Sequence, residues 1–358
     1  MKQVYIGLDL GSSQFEYVAL DREGVILARH RFKTGEENLR ASFCQLRAEQ
    51  KGELHVHLEA GELAAWARAV IAPLATRVLI GDPRRSAWIA KDPCKKDQLD
   101  AFKLADLLRM SRVHEVYYDD AKPRRIFKQV VQHYEDLTRR QAQLKVKIKA
   151  RLRVQGLIRK DSRVFAPAQR ESLLDQLSDK QLRAVIGQLY DLLDATRAQQ
   201  LAAFETMREM SRQFPEITLL QKIPGVRLIN ACRFSAYVQN PHRFGNLRRL
   251  WRYARLGVVQ QSSDGKPIGP QRLDRAGCGS LKDVSRKAFS AAIRRKDDNV
   301  FKRAYKQSLA RTHNAMHARL SVQRKILAVM RAVWIKGEPY RDDLGINVPG
   351  SIKQAEMV

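Results

Sequence analysis

Four carboxylates stand out by their places along the 358-residue chain. Asp9 ends the apolar run of GLDLG, and Glu59 ends that of HVHLEAG. Asp97 and Asp100, in KKDQLDA, are three apart and share a face if that segment is helical. Two strand-end carboxylates and a helical pair of this spacing can converge at one edge of a sheet. Clustered without counter-charge, they would repel one another and resist ionisation. A pair of Mg2+ or Mn2+ ions removes that cost. Hard cations take oxygen ligands, and two of them can clamp the attacking and leaving oxygens of a phosphate. Plainer roles exist for each residue taken singly. Asp97 can cap the helix that follows it, and Glu59 can be a solvated strand-end charge. Asp9 fits such a role least, because a carboxylate ending an apolar strand is costly without a partner.

The elements that must carry these residues follow from periodicity. Val4 to Leu10 is a short apolar run closed by Gly11, as in a buried strand. Phe15 to Leu20 and Val25 to Phe32 flank the turn Asp21-Arg22-Glu23-Gly24 and predict a hairpin. Helices are expected over 35–49, 61–71 and 97–110, with strands over 55–58 and 77–80. Three antiparallel strands followed by alternating helices and strands is the order of an RNase H-like α/β domain. The composition changes near Lys122. A long basic helix is predicted from about Ile126 to Arg159, with Val146, Ile148, Leu152 and Val154 suggesting one buried side. A second runs from about Ser178 to Phe214, with Leu182, Val185, Ile186, Leu189, Leu192 and Leu193 as its apolar stripe. Ala166-Pro167 separates the two, so an antiparallel helical pair or coiled coil is expected. Residues 219–292 are richer in glycine and loops, and a last helix is expected over about 297–336.

Lys and Arg number 66 against 38 Asp and Glu, a formal net charge of +28. An excess of this size points to a polyanionic partner, because neutralising phosphates releases condensed counterions. No apolar stretch is long enough to cross a bilayer, and no lipidation motif accompanies the charge. The opening MKQVYIGLDLG is expected to be a strand and turn, not a signal peptide. Cys44, Cys94, Cys232 and Cys278 are scattered with no CxxC pair, which disfavours a zinc knuckle or a disulfide framework. The expected setting is cytoplasmic and nucleoid-associated.

GLDLG, HLEAG and KKDQLDA together resemble the DEDD transposases of the insertion sequence 110 family and the related Piv-type DNA invertases. KIPGV at 222–226 resembles that family's IPG motif, and RFGNLRRLWRYARLGVVQQSSDGK resembles its second signature, in which a serine follows a tyrosine-alanine-glycine-leucine stretch. Arg255 stands where the family usually has glycine, and the segment after Lys266 is a looser version of its pattern. The resemblance implies an RNase H-like (RuvC-type) domain over 1–122 and a helical or coiled-coil connector over 123–214. A mainly helical, serine-bearing transposase domain follows over 215–340, with a loose tail over 341–358. It also implies that Asp9, Glu59, Asp97 and Asp100 are metal ligands. Ser263, or its neighbour Ser262, would attack a DNA phosphate to give a covalent phosphoserine link. From the residues alone SSDGK is turn chemistry; the resemblance is what makes a nucleophile of it. A structured guide RNA encoded by the element, donor and target duplex DNA, and a homodimer or homotetramer are the partners so implied.

For the nucleic acid, the basic helix supplies Arg139, Arg140, Lys145, Lys147, Lys149, Arg151 and Arg153, and the serine region supplies Arg248, Arg249 and Arg252. With Trp251 and Tyr253, the last three can either stack on bases or hold the serine loop. His313 and His317 have the spacing of a zinc pair on one helix, but Asn314 stands where a metalloprotease needs glutamate. His55 and His57 share one face of a strand, a structural pattern. Rival functions are a sugar-kinase or ATPase relative, since GLDLGSS resembles a phosphate loop; a Holliday-junction resolvase using the carboxylates alone; and a domesticated DNA-binding relative without catalysis. The first lacks a second phosphate loop, and loss of activity on replacing Ser263 would separate the second.

Overall fold

A computed structural model describes residues 2–83, 97–119, 121–157, 163–263 and 266–342; the side chains of 97, 98 and 261 lie outside that description. The chain divides into two compact units, 1–118 and 119–358.

The first unit is built on five strands: β1 (Gln3–Leu10), β2 (Gln14–Leu20), β3 (Ile26–Lys33), β4 (Glu53–Glu59) and β5 (Arg77–Gly81). They lie in the order β3-β2-β1-β4-β5. β2 is antiparallel to β1 and β3, whereas β4 runs parallel to β1 and β5 parallel to β4. The β2–β3 turn forms as its residues suggest. Gly24 takes a φ of +93°, and Asp21 accepts from the amide of Val25 at 2.8 Å. A parallel neighbour needs a crossover, and α1 (Glu36–Gln50) and α2 (Ala64–Ile71) provide those into β4 and β5.

Both faces of the central strand are covered, which is why it reads as an unbroken apolar run. Val4, Ile6 and Leu8 pack with Leu39, Phe43, Ala67 and Ile71 of α1 and α2. On the opposite face, Val18 and Leu20 pack against Ala101 and Ala105 of α3 (Asp97–Arg109).

In the second unit α4 (Lys122–Val154) and α6 (Lys180–Ser211) form an antiparallel pair. Tyr134 lies beside Phe204, Gln141 donates to Gln200 at 2.6 Å, and Leu144, Ile148 and Leu152 share a core with Ile186, Tyr190 and Leu193. The bridging helix α5 (Pro167–Leu174) starts at the proline that interrupts the pattern. The buried stripe is narrower than the sequence suggests. Val146 and Val154 are 68% and 78% exposed, and Val185 and Leu192 also face solvent. A single partner helix covers only one line of side chains, and these residues fall off it.

The helices α7 (Pro215–Leu220), α8 (Leu228–Val238), α9 (Leu247–Tyr253), α10 (Gly279–Arg294), α11 (Val300–Thr312) and α12 (Ala315–Lys336) gather around one larger core, and the exposed hairpin β6 (Val258–Ser263) and β7 (Lys266–Leu273) joins α9 to α10. The expected single last helix is two. His313 turns left-handed (φ 49°) to end α11, and the Asn314 side chain caps α12 by accepting from the amides of Met316 and His317. His313 and His317 therefore do not share a helix, and the zinc-pair spacing is lost. No described helix is long and apolar enough to cross a membrane.

Candidate active site

Register places the strand carboxylates. β1 and β4 pair in parallel through Leu8 and Leu58, so Asp9 and Glu59 are the next neighbours, side by side at the carboxyl ends of adjacent strands. They emerge on the face that carries Gly7 and His57, which are also paired. This is the face α3 covers.

Two features fix α3 there. A β-carbon at Gly7 would lie 2.1 Å from the carbonyl oxygen of Ala101 and 2.3 Å from the nitrogen of Ala105, so the helix backbone rests directly on the strand. Beside it, the fully buried His57 joins its Nδ1 to the carbonyl oxygen of Leu104 at 2.8 Å. Burial pushes the His57 pKa down, against the opposing pull of that bond, so the ring is neutral and donates from Nδ1.

The helix runs antiparallel to β1. Its far end reaches the β2–β3 turn, where Arg109 donates to the carbonyl of Arg22 at 3.3 Å. Its first turn, with Asp97 and Asp100, is thus at the same end of the sheet as Asp9 and Glu59. Asp9 and Asp100 are half-buried and Glu59 is exposed. The side chain of Asp97 lies outside the described residues. Among the described residues no three His, Cys, Asp or Glu side chains are grouped closely enough to hold an ion. Carboxylate oxygens such as those of Asp9, Glu59 and Asp100 suit hard divalent cations.

The same row of the sheet holds two residues that the motifs did not single out. Glu16 on β2 is the partner of Asp9, and Arg31 on β3 is the partner of Glu16. Glu16 is 4% exposed and accepts from Nε and a terminal nitrogen of Arg31 at 3.0 and 2.8 Å. A glutamate at an alternating strand position reads as solvent-facing; its register opposite Asp9 was the available signal.

Ser262 and Ser263 lie in the second unit, at the distal end of β6 opposite Pro267 and Lys266, and both are exposed. The strands around them are exposed, Val258, Val259 and Ile268 included, but the base of the hairpin is held firmly. The Asp274 amide donates to Gly257, the Cys278 amide to Tyr253, and Arg252 Nε to the Asp274 carboxylate at 2.9 Å. Arg255 sits in the left-handed region (φ 55°), the conformation that a glycine at this point supplies without strain, and its Nε donates to Gly277 at 2.8 Å. Trp251 donates its indole N–H to the carbonyl of Arg324, and Trp251 and Tyr253 pack against the larger core. Of this cluster, Arg252 is bonded to the base of the hairpin, whereas Trp251 reaches α12. Arg248 and Arg249 remain exposed.

A largely buried charge network joins α4, α8 and α10. Arg233 on α8 bonds Glu135 on α4 at 2.5 Å and Asp283 on α10 at 2.8 Å, while Tyr237 and Ser280 also donate to Glu135. Burial opposes the charge of Asp283, yet Lys287, Arg233 and Arg286 together hold its carboxyl well below the usual range. The glycine of the IPG motif has a packing requirement too. Gly225 has a φ of +82°, and a β-carbon there would meet the Ala288 carbonyl of α10 at 2.3 Å.

On α4, Arg139, Arg140, Lys147, Arg151 and Arg153 are exposed, whereas Lys145 and Lys149 lie over the Phe165 ring.

Comparison with known families gives two matches. Residues 6–155 match the DEDD transposase model of the insertion sequence 110 type, and residues 217–306 match the model described as transposase IS116/IS110/IS902 family. No curated relative matches the chain.

Proposed function

The chain belongs to the insertion sequence 110 family of DEDD transposases, and we propose that it cuts and rejoins DNA with two sets of residues, one acidic and one bearing a serine. The observation that carries this reading is the placement of Asp9 and Glu59 on neighbouring strand ends, with the first turn of α3 at the same end. The strand order and the helices on both faces support an RNase H-like, RuvC-type domain. Asp9, Glu59, Asp97 and Asp100 would hold Mg2+ or Mn2+. Bound there, the metal supplies charge stabilisation to phosphate oxygens and lowers the proton affinity of a hydroxyl.

The chain's own residues do the rest. The Oγ of Ser263, or of Ser262, attacks phosphorus as it loses its proton. One bridging P–O bond breaks, and the leaving deoxyribose oxygen takes up a proton. The new serine ester conserves the energy of the phosphodiester, so attack by another deoxyribose hydroxyl rejoins DNA without ATP. The anchored base of the β6–β7 hairpin supports this role, since a nucleophile must be presented from a fixed support. The exposed arginines and lysines of α4, with Arg248 and Arg249, would track the phosphate backbones of duplex DNA and of a guide RNA. The separate small core of the α4–α6 pair favours treating 123–214 as a connector, and strand exchange calls for a dimer or tetramer.

Recombination between donor and target plasmids carrying the element's flanking DNA tests this. Asp9→Ala and one of Ser262→Ala and Ser263→Ala are expected to abolish it. Activity in both serine variants with loss in Asp9→Ala would instead favour a carboxylate-only resolvase.

A further inference from the structure

We propose that Arg31 is a strand-positioning residue of the carboxylate site, binding a DNA backbone phosphate beside the one attacked and held in place by the buried carboxylate of Glu16. The inference rests on the reading of Asp9 and Glu59 as the metal-binding end of the sheet. Its basis is one continuous row. Arg31, Glu16, Asp9 and Glu59 occupy successive strands β3, β2, β1 and β4 in register, and all face the α3 side. With strands about 4.8 Å apart, the backbone of Arg31 is only about 10 Å from that of Asp9. Glu16 lies between them and draws the guanidinium toward the site through two donors on one edge, at 3.0 and 2.8 Å.

A buried carboxylate next to a metal ligand is a costly choice if its only task is to fill space. A neutral glutamine would fit and would not repel Asp9. What glutamate adds is a charge-assisted hold on a cation, with two donors of one guanidinium edge converging on a single carboxylate oxygen. The Arg31 side chain is 48% exposed, so phosphate can approach its guanidinium. The row thus presents a cation at one end and the carboxylates at the other. A nucleic-acid strand with one phosphate over Asp9 and Glu59 would set a neighbouring phosphate over Arg31. The guanidinium then fixes the register of the scissile phosphate, which a diffuse basic surface does not do.

Arg31→Gln alone would strand the Glu16 charge and weaken the fold. The double variant E16Q/R31Q removes both charges with side chains of similar shape. Three readouts on the full chain separate the possibilities: the thermal midpoint, the rise in that midpoint on adding Mn2+, and plasmid recombination. The expected result is a midpoint and a Mn2+ response like wild type, with recombination reduced ten-fold or more. Recombination at the wild-type rate in E16Q/R31Q would overturn the proposal and leave the Arg31–Glu16 pair with a structural role. Loss of the Mn2+ response in the double variant would also overturn it, by placing the pair in the metal's support. Asp9→Ala, run alongside, reports on the underlying reading: if it recombines normally, that reading fails, whatever Arg31 does.

Discussion

Replacing Gly7 by alanine probes how the acidic site is assembled. The added β-carbon would fall 2.1 Å from the Ala101 oxygen and 2.3 Å from the Ala105 nitrogen, both backbone atoms of α3. Neither can swing away as a side-chain tip would, so the helix must retreat by about 1 Å to restore ordinary contact. Forced repacking of this kind costs about 1–3 kcal/mol. Stretching the bond from His57 to the Leu104 carbonyl adds about 1 kcal/mol. The first unit is therefore expected to lose about 2–4 kcal/mol in urea unfolding followed by circular dichroism. The functional loss should be larger. The same retreat carries Asp97 and Asp100 away from Asp9 and Glu59, and a displacement near 1 Å can cost about a hundred-fold in rate. Recombination by folded Gly7→Ala should fall on that scale, at a temperature well below its melting point. Wild-type stability and activity in this variant would refute the close packing of α3 on β1 and the account of how the carboxylates meet.

Other expectations follow from the same contacts. The folded pKa of His57 lies below its ordinary value of 6.5, so the unfolded chain takes up a proton that the folded one resists. Stability should therefore fall as pH drops below about 6.5, and His57→Gln should flatten that part of a melting-temperature profile. Arg233→Met leaves Glu135 buried without its cation and should cost about 3–5 kcal/mol in urea unfolding, with E135Q/R233M recovering much of the loss. Arg255→Gly should raise stability by about 0.5–1 kcal/mol, relief of the left-handed backbone outweighing the single bond to Gly277; a lowered melting temperature would reverse that ranking.

Much of the first unit was legible because its signals are local. An apolar run ending in a carboxylate marks a strand end, and Asp21 to Gly24 is a turn by residue type. The positions of Asp9 and Glu59 followed from those signals. What the sequence hides depends on neighbours distant along the chain. Gly7 matters because of Ala101 and Ala105, and Glu16 because of its register with Asp9, while the structural role read for His57 comes from its bond to Leu104. The hairpin carrying Ser262 and Ser263 was hidden for another reason: QQSSDGKPIGPQR has almost no apolar alternation, since both faces of that ribbon meet solvent. The break between α11 and α12 lies inside a long amphipathic run, where only the cap formed by Asn314 marks it. In the α4–α6 pair the helices were readable, but which valines and leucines were covered depended on having one partner helix instead of several.

The proposed reaction joins a serine of this chain to DNA under the control of the acidic site. Purified full-length protein should be incubated with end-labelled donor DNA and Mg2+, denatured, digested with protease and analysed by mass spectrometry. A nucleotide-bearing peptide spanning Ser262 and Ser263 is expected in wild type, and none from Asp9→Ala or from the variant lacking the reactive serine. DNA cut with no covalent adduct, at a rate unchanged when both serines are replaced by alanine, would contradict it.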